Sequence, residues 1–74
     1  MDLVNEKKEE IFNTATYLFS KKGYMSTSVQ DIAKACNISK ATIYKCFNSK
    51  EDILIYIIKY SRFTQIFLFL FISF

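Results

Sequence analysis

The chain has 74 residues, of which ten are Lys or Arg and seven are Asp or Glu, and it contains no His. One Gly and no Pro argue against a turn-dense all-β fold, which needs these residues at many corners, so a mostly helical chain remains. Because His is absent and only two Cys are present, the composition also argues against an enzyme with an imidazole base, a disulfide scaffold and a four-ligand zinc site.

The charge is distributed unevenly along the chain. Residues 1–10 carry four acids against two Lys, whereas residues 32–50 carry four Lys and no acid. Residues 63–74 carry no charge and hold five of the eight Phe. A basic middle section on a small helical domain suggests a polyanion as partner, although charge alone fits a solvated surface equally well.

The first predicted helix runs from about Asn5 to Lys22. Its apolar residues recur with the period of a helix and would face a core. They are Ile11, Phe12, Ala15, Leu18 and Phe19. Gly23 follows directly, where a left-handed residue commonly ends a helix, and Tyr24 is expected to pack back onto that end.

Two short helices are predicted next, each beginning after a serine cap. Ser28 with Asp31 has the spacing of a capping box and predicts a helix over about 29–35, while Ser39 predicts one over about 40–47. Between them Asn37 tolerates the left-handed backbone that a tight turn needs. Two short helices joined by a tight turn, behind a longer helix, indicate a helix-turn-helix. The residues expected to face the core are Val29, Ile32, Ala33, Ile38, Ile43 and Phe47.

A fourth helix is predicted to begin at Lys50. Ser49 and Asp52 repeat the spacing of a serine cap and an acidic partner. The apolar residues that follow would continue the core along this helix. They are Ile53, Leu54, Ile57 and Ile58.

The second short helix carries the candidate functional residues, because in a helix-turn-helix this element lies in the DNA major groove. Once the core is assigned, the residues left outside are Ser39, Lys40, Ala41, Thr42, Tyr44 and Lys45. Hydroxyl and ammonium groups can bond phosphates or base edges, and a small alanine permits close approach to a thymine methyl. Backbone N–H groups near Ser28 and Lys50 can also hold phosphates. The alternative for Tyr44 is simple cover of apolar surface.

The run TSVQDIAKACNISKATIYKCFNSKEDIL, from Thr27 to Leu54, resembles the DNA-binding domain of the TetR-type transcription regulators. So does IFNTATYLFSKKGY, from Ile11 to Tyr24. Four motifs in order carry the resemblance, namely FSKKGY, T-S-x-x-D-I-A, I-S-K-x-T-I-Y and F-x-S-K-E. The resemblance implies an all-α, homeodomain-like three-helix domain over residues 5–58 with its motif at about 28–47. It also implies a repressor that binds double-stranded DNA. No cofactor is expected.

The resemblance further implies roles for single residues. Ser28 would cap the first motif helix and meet a phosphate, Tyr44 matches a tyrosine that commonly contacts the DNA backbone, and Lys50 matches a lysine that usually binds phosphate. Cys46 stands where an aromatic residue or His is common, so one backbone contact is expected to be missing. The complete set of predicted DNA-binding residues is Ser28, Ser39, Lys40, Ala41, Thr42, Tyr44, Lys45 and Lys50.

Residues 59–74 form a Phe-rich, apolar tail outside the family pattern. TetR-type regulators have a large C-terminal domain for ligand binding and dimerisation, so the interpretation is a truncated regulator that lacks the homodimer interface. The uncharged run is shorter than the roughly 20 apolar residues that a membrane-spanning helix needs. The alternatives are a small membrane-associated or partner-binding helical protein driven by this tail, and a non-functional truncated remnant. The charged N-terminus does not read as a secretory signal, which favours the cytoplasm.

Overall fold

The computed structural model describes residues 3–60, which form four α-helices and, within that range, no strand. Helix α1 spans Leu3–Lys22, α2 spans Val29–Cys36, α3 spans Lys40–Cys46 and α4 spans Lys50–Tyr60. This architecture confirms the predicted all-α fold, with a helix-turn-helix formed by α2 and α3.

Where the sequence predicts a helix end, the observed end lies within two residues of it. α1 begins at Leu3, two residues early, and α2 continues one residue further, to Cys36. α3 ends at Cys46 because the backbone of Phe47 is extended, with φ −139° and ψ 140°. The Phe47 N–H still donates to the carbonyl of Ile43 at 2.9 Å, so the side chain remains in the core.

Most of the predicted apolar tail, residues 61–74, lies outside the described residues, and so does the alternative of membrane contact through it. α4 includes Lys59 and Tyr60, the first two residues that were assigned to the tail. Among the helices of residues 3–60, none combines the length and the apolar character needed to cross a membrane.

Ser28 begins α2 with a complete capping box. Its Oγ accepts the Asp31 N–H at 3.0 Å, and Asp31 Oδ2 accepts the Ser28 N–H at 3.0 Å. The carboxylate also meets Lys22 Nζ at 3.1 Å, which ties the end of α1 to the start of α2. The Ser28 backbone N–H, followed by the Lys22 side chain, lowers the pKa of Asp31. The predicted cap therefore also joins two helices.

The other two short connections use the same local chemistry. Ser39 and Ser49 cap α3 and α4, accepting the N–H groups of Thr42 and Asp52 at 3.1 Å each. Asn37 ends α2 in the left-handed conformation, with φ 58° and ψ 44°. These contacts confirm the predicted caps and the predicted turn.

Asn37 gives a stability prediction. The Asn37→Ala variant should lose about 1 kcal/mol of unfolding free energy, because a Cβ without a local polar group is disfavoured at positive φ. In a domain of this size, that loss lowers the melting temperature by about 4–8 °C. Asn37→Gly should melt within about 2 °C of the wild type, since glycine adopts this conformation freely. Thermal unfolding followed by circular dichroism measures both, and equal melting of the two variants would contradict the prediction.

The core forms around α1, which contacts α2, α3 and α4, while α2 also contacts α3. The buried apolar residues are Ile11, Ala15, Phe19, Val29, Ile32, Ala33, Cys36, Ile43, Phe47, Ile53 and Ile57. Several residues predicted for the core lie only at its margin, namely Phe12, Leu18, Ile38 and Leu54. The prediction that Ile58 faces the core is wrong, because 38% of this residue is exposed and it lies off the buried face of α4.

Candidate nucleic-acid interface

The loop between α1 and α2 is held by a buried threonine. Thr27 is only 1% exposed, and its Oγ1 donates to the carbonyl of Gly23 at 2.8 Å. Its N–H donates to the carbonyl of Tyr24 at 3.2 Å, which closes a turn. Gly23 takes the predicted positive φ, 88°. In the sequence, Thr27 is recognisable only as the first residue of the T-S-x-x-D-I-A motif. Its burial and its hydrogen bond at the centre of this loop were not predicted.

Tyr24 packs back onto the end of α1 as predicted. Its ring meets Phe19 edge-on, with centroids 5.1 Å apart. Burial, and secondarily the carboxylate of Glu51, raises the pKa of the Tyr24 hydroxyl, so the ring stays neutral at physiological pH. The loop that leads into α2 is therefore anchored on the core at one end.

Helix α3 presents its predicted outer residues to solvent. Five of the six are exposed, with Tyr44 at 46%, whereas Thr42 is half-buried. Ser39 Oγ and Thr42 Oγ1 lie 3.0 Å apart and share one hydrogen bond. Two hydroxyls hold two protons, so one O–H remains free to donate to a phosphate or a base edge.

The two lysines of α3 are available to a ligand. Within residues 3–60, neither Lys40 nor Lys45 has a carboxylate within ion-pair distance. By contrast, Lys22 is paired with Asp31 at 3.1 Å. Within residues 3–60, α3 therefore carries two lysines that have no acidic partner.

An open depression of about 390 Å³ brings part of the predicted site together. Four of the eight predicted residues line it, namely Ser28, Lys40, Tyr44 and Lys50. The other four do not line the depression: Ala41, Thr42 and Lys45 lie on α3, and Ser39 is its N-cap. Gln30 and Met25 also line it and were not predicted. Their signal in the sequence is weak: Gln30 is a polar residue on the outer face of the first turn of α2.

Lys50 makes contacts that the sequence does not reveal. Its Nζ donates to the carbonyls of Tyr24 at 2.9 Å and of Thr27 at 3.0 Å. The same atom lies 4.2 Å from the centroid of the Tyr24 ring. The ammonium group is thus bonded to the α1–α2 loop at the edge of the depression.

The two cysteines do not form a disulfide bond with each other. Cys36 is buried, Cys46 is half-buried, and both are free thiols. In the stretch of chain from residue 3 to residue 60, no three His, Cys, Asp or Glu side chains are grouped so that they could hold a metal ion.

Comparison with known proteins identifies this arrangement of helices. The family model for bacterial regulatory proteins of the tetR family matches residues 11–57. Over 52 residues the chain is 50% identical to the uncharacterized HTH-type transcriptional regulator YerO of Bacillus subtilis, covering 70% of this chain and 18% of that protein. It is 51% identical over 57 residues to the uncharacterized HTH-type regulator YuxN of the same organism, covering 77% of this chain and 20% of YuxN.

A third relative has a more specific name. The chain is 50% identical over 46 residues to the biofilm operon icaADBC HTH-type negative transcriptional regulator IcaR of Staphylococcus aureus, covering 62% of this chain and 25% of IcaR. The chain spans about a fifth of the length of YerO and YuxN. The matched region contains α2, α3 and most of α1 and α4. The chain belongs to the tetR family of bacterial regulatory proteins and carries the helix-turn-helix DNA-binding domain of a transcription regulator.

Proposed function

We propose that the chain binds double-stranded DNA in a sequence-specific manner, with α3 in the major groove and the start of α2 on the phosphate backbone. The observation that carries the proposal is the exposed side of α3, beside the depression at Ser28. There Lys40 and Lys45 have no acidic partner among residues 3–60. Helix-turn-helix proteins read bases with the N-terminal part of the second motif helix.

The proposed contacts divide into two kinds. Ser28 and Tyr44 would meet phosphates, and such contacts set the register without reading sequence. Lys50 lies on the same side, at the edge of the depression. The N-cap of α3 and the outer-face residues of the helix would reach base edges, and these are Ser39, Lys40, Ala41, Thr42 and Lys45. Lysine can donate to guanine, and the methyl group of alanine can touch that of thymine.

We propose that binding represses transcription. Support comes from IcaR, which is named a negative transcriptional regulator and is 50% identical to this chain over 46 residues. A regulator of this kind binds as a dimer to two half-sites about 34 Å apart. A single domain is therefore expected to bind weakly.

Fluorescence anisotropy with a randomised pool of labelled duplexes, and then with selected sequences, tests the proposal. Each phosphate that a lysine neutralises contributes about −0.9 to the slope of log affinity against log salt concentration, so the positive charges of Lys40 and Lys45 predict a slope near −2. Affinity should then fall about twelvefold between roughly 50 and 200 mM salt. Absence of binding at low salt, with the helical circular dichroism spectrum intact, would contradict the proposal.

A further inference from the structure

The ammonium group of Lys50 is bonded to the backbone of the α1–α2 loop. Two of its three N–H donors are used, one on the carbonyl of Tyr24 and one on that of Thr27. We infer that Lys50 is a positioning residue for the DNA interface, because it fixes the loop that leads into Ser28, the N-cap of α2. This inference rests on the proposed DNA binding and specifies how one residue of that site acts.

The loop has internal bonds that Lys50 completes. The Thr27 N–H and Lys50 Nζ donate to the same carbonyl, that of Tyr24, at 3.2 and 2.9 Å. Thr27 Oγ1 bonds the carbonyl of Gly23, which attaches the loop to the end of α1. Lys50 supplies hydrogen bonds from the loop to α4, across 23 and 26 residues of chain. The loop is thereby fixed to α1 and α4 at once.

The ring of Tyr24 strengthens this attachment. Its centroid lies 4.2 Å from Lys50 Nζ, which is within the range of a cation–π contact. Both partners are half-buried, so solvent screens the contact less than it would on an open surface. Because two carbonyls and an aromatic ring hold its ammonium group, the Lys50 side chain is not free to extend towards solvent.

A positioning role and a direct phosphate contact predict different responses to salt. A lysine that neutralises a phosphate releases counterions, so its removal makes the salt slope shallower by about 0.9. A lysine that orients Ser28 and the neutral N–H groups of α2 alters affinity without that change in slope. The resemblance implies the first role for Lys50, and the geometry of the loop points to the second.

The first experiment uses the complete 74-residue chain without DNA. Lys50→Met keeps the aliphatic stem and removes the donors, while Lys59→Met removes one charge from an exposed position on the same helix. Amide hydrogen exchange at Thr27, whose N–H closes the loop turn, reports on loop order. We expect this exchange to be about tenfold faster in Lys50→Met and within about twofold of wild type in Lys59→Met. Unchanged exchange in Lys50→Met overturns the inference.

The second experiment adds duplex DNA at several salt concentrations. Lys50→Met should bind at least about fivefold more weakly than Lys59→Met, with the same salt slope. A slope that is shallower by about 0.9 than that of Lys59→Met overturns the inference, because Lys50 then touches phosphate itself. If the wild type binds no duplex at all, the proposed function fails, and the exchange measurement still decides the role of Lys50 in the loop.

A measurement on the wild type covers the case in which Lys50→Met does not fold. The ε-methylene protons of Lys50 should be shifted upfield by the Tyr24 ring, and its ammonium protons should exchange with water more slowly than those of Lys59. Shifts and exchange equal to those of Lys59 would overturn the inference without any variant.

Discussion

Alanine at both Lys40 and Tyr44 is expected to weaken DNA binding about a hundredfold, which corresponds to about 3 kcal/mol of binding free energy. The two residues are exposed, lie one turn apart on α3 and line the same depression. Lys40 carries a positive charge without an acidic partner in the described range, and Tyr44 carries a hydroxyl on a rigid ring. Their loss removes a charge and a donor from the centre of the proposed interface.

The matched control for this double variant lies on α4. Lys59 and Tyr60 are the same residue types, and both are exposed, Tyr60 at 66%. Alanine at both positions removes the same charge and the same ring from the chain. Anisotropy should give an affinity within about threefold of wild type for this control. Equal losses in the two double variants would contradict a specific interface on α3.

Phe19→Ala is expected to destabilise the protein strongly and to lower the midpoint of its urea unfolding transition. Phe19 is fully buried on α1, the helix that contacts the other three, and its ring also supports Tyr24. Truncation of a buried Phe costs about 3–5 kcal/mol. A domain of this size has a total stability of roughly 3–9 kcal/mol, at about 0.05–0.15 kcal/mol per residue. The loss therefore removes between about a third and all of the stability.

Urea denaturation followed by circular dichroism measures this effect. Tyr17→Ala is the control on the same helix, since 58% of Tyr17 is exposed. It should change the free energy of unfolding by no more than about 1 kcal/mol. A Phe19→Ala protein that unfolds at the same urea concentration as the wild type would contradict the arrangement of the core around α1.

The parts of the fold that the sequence predicts well depend on short-range chemistry. Ser28 and Ser39 each bond an N–H three residues later, and Asn37 needs only its own backbone preference. Such signals lie within one turn of the chain, so a single sequence contains them completely. The buried stripe of α1 is also readable, because its period is a property of one helix.

The parts that could not be predicted depend on contacts between distant residues. Lys50 reaches carbonyls 23 and 26 residues earlier, and no local pattern encodes that distance. Thr27 is polar yet buried, because Gly23 offers a carbonyl within reach after the chain turns. Ile58 continues the apolar series of α4 but is partly exposed, since α1 covers only part of that helix. These features become visible only when the helices are assembled.

The most direct test of the proposed interface is an amide chemical-shift map of the complete ¹⁵N-labelled chain titrated with a duplex that it binds. We expect the largest changes at Ser28, Gln30 and the residues from Lys40 to Lys45, whereas the exposed side of α4 at Ile55 and Ile58 should change little. Changes concentrated on α4, with α3 unaffected, would contradict the proposed interface.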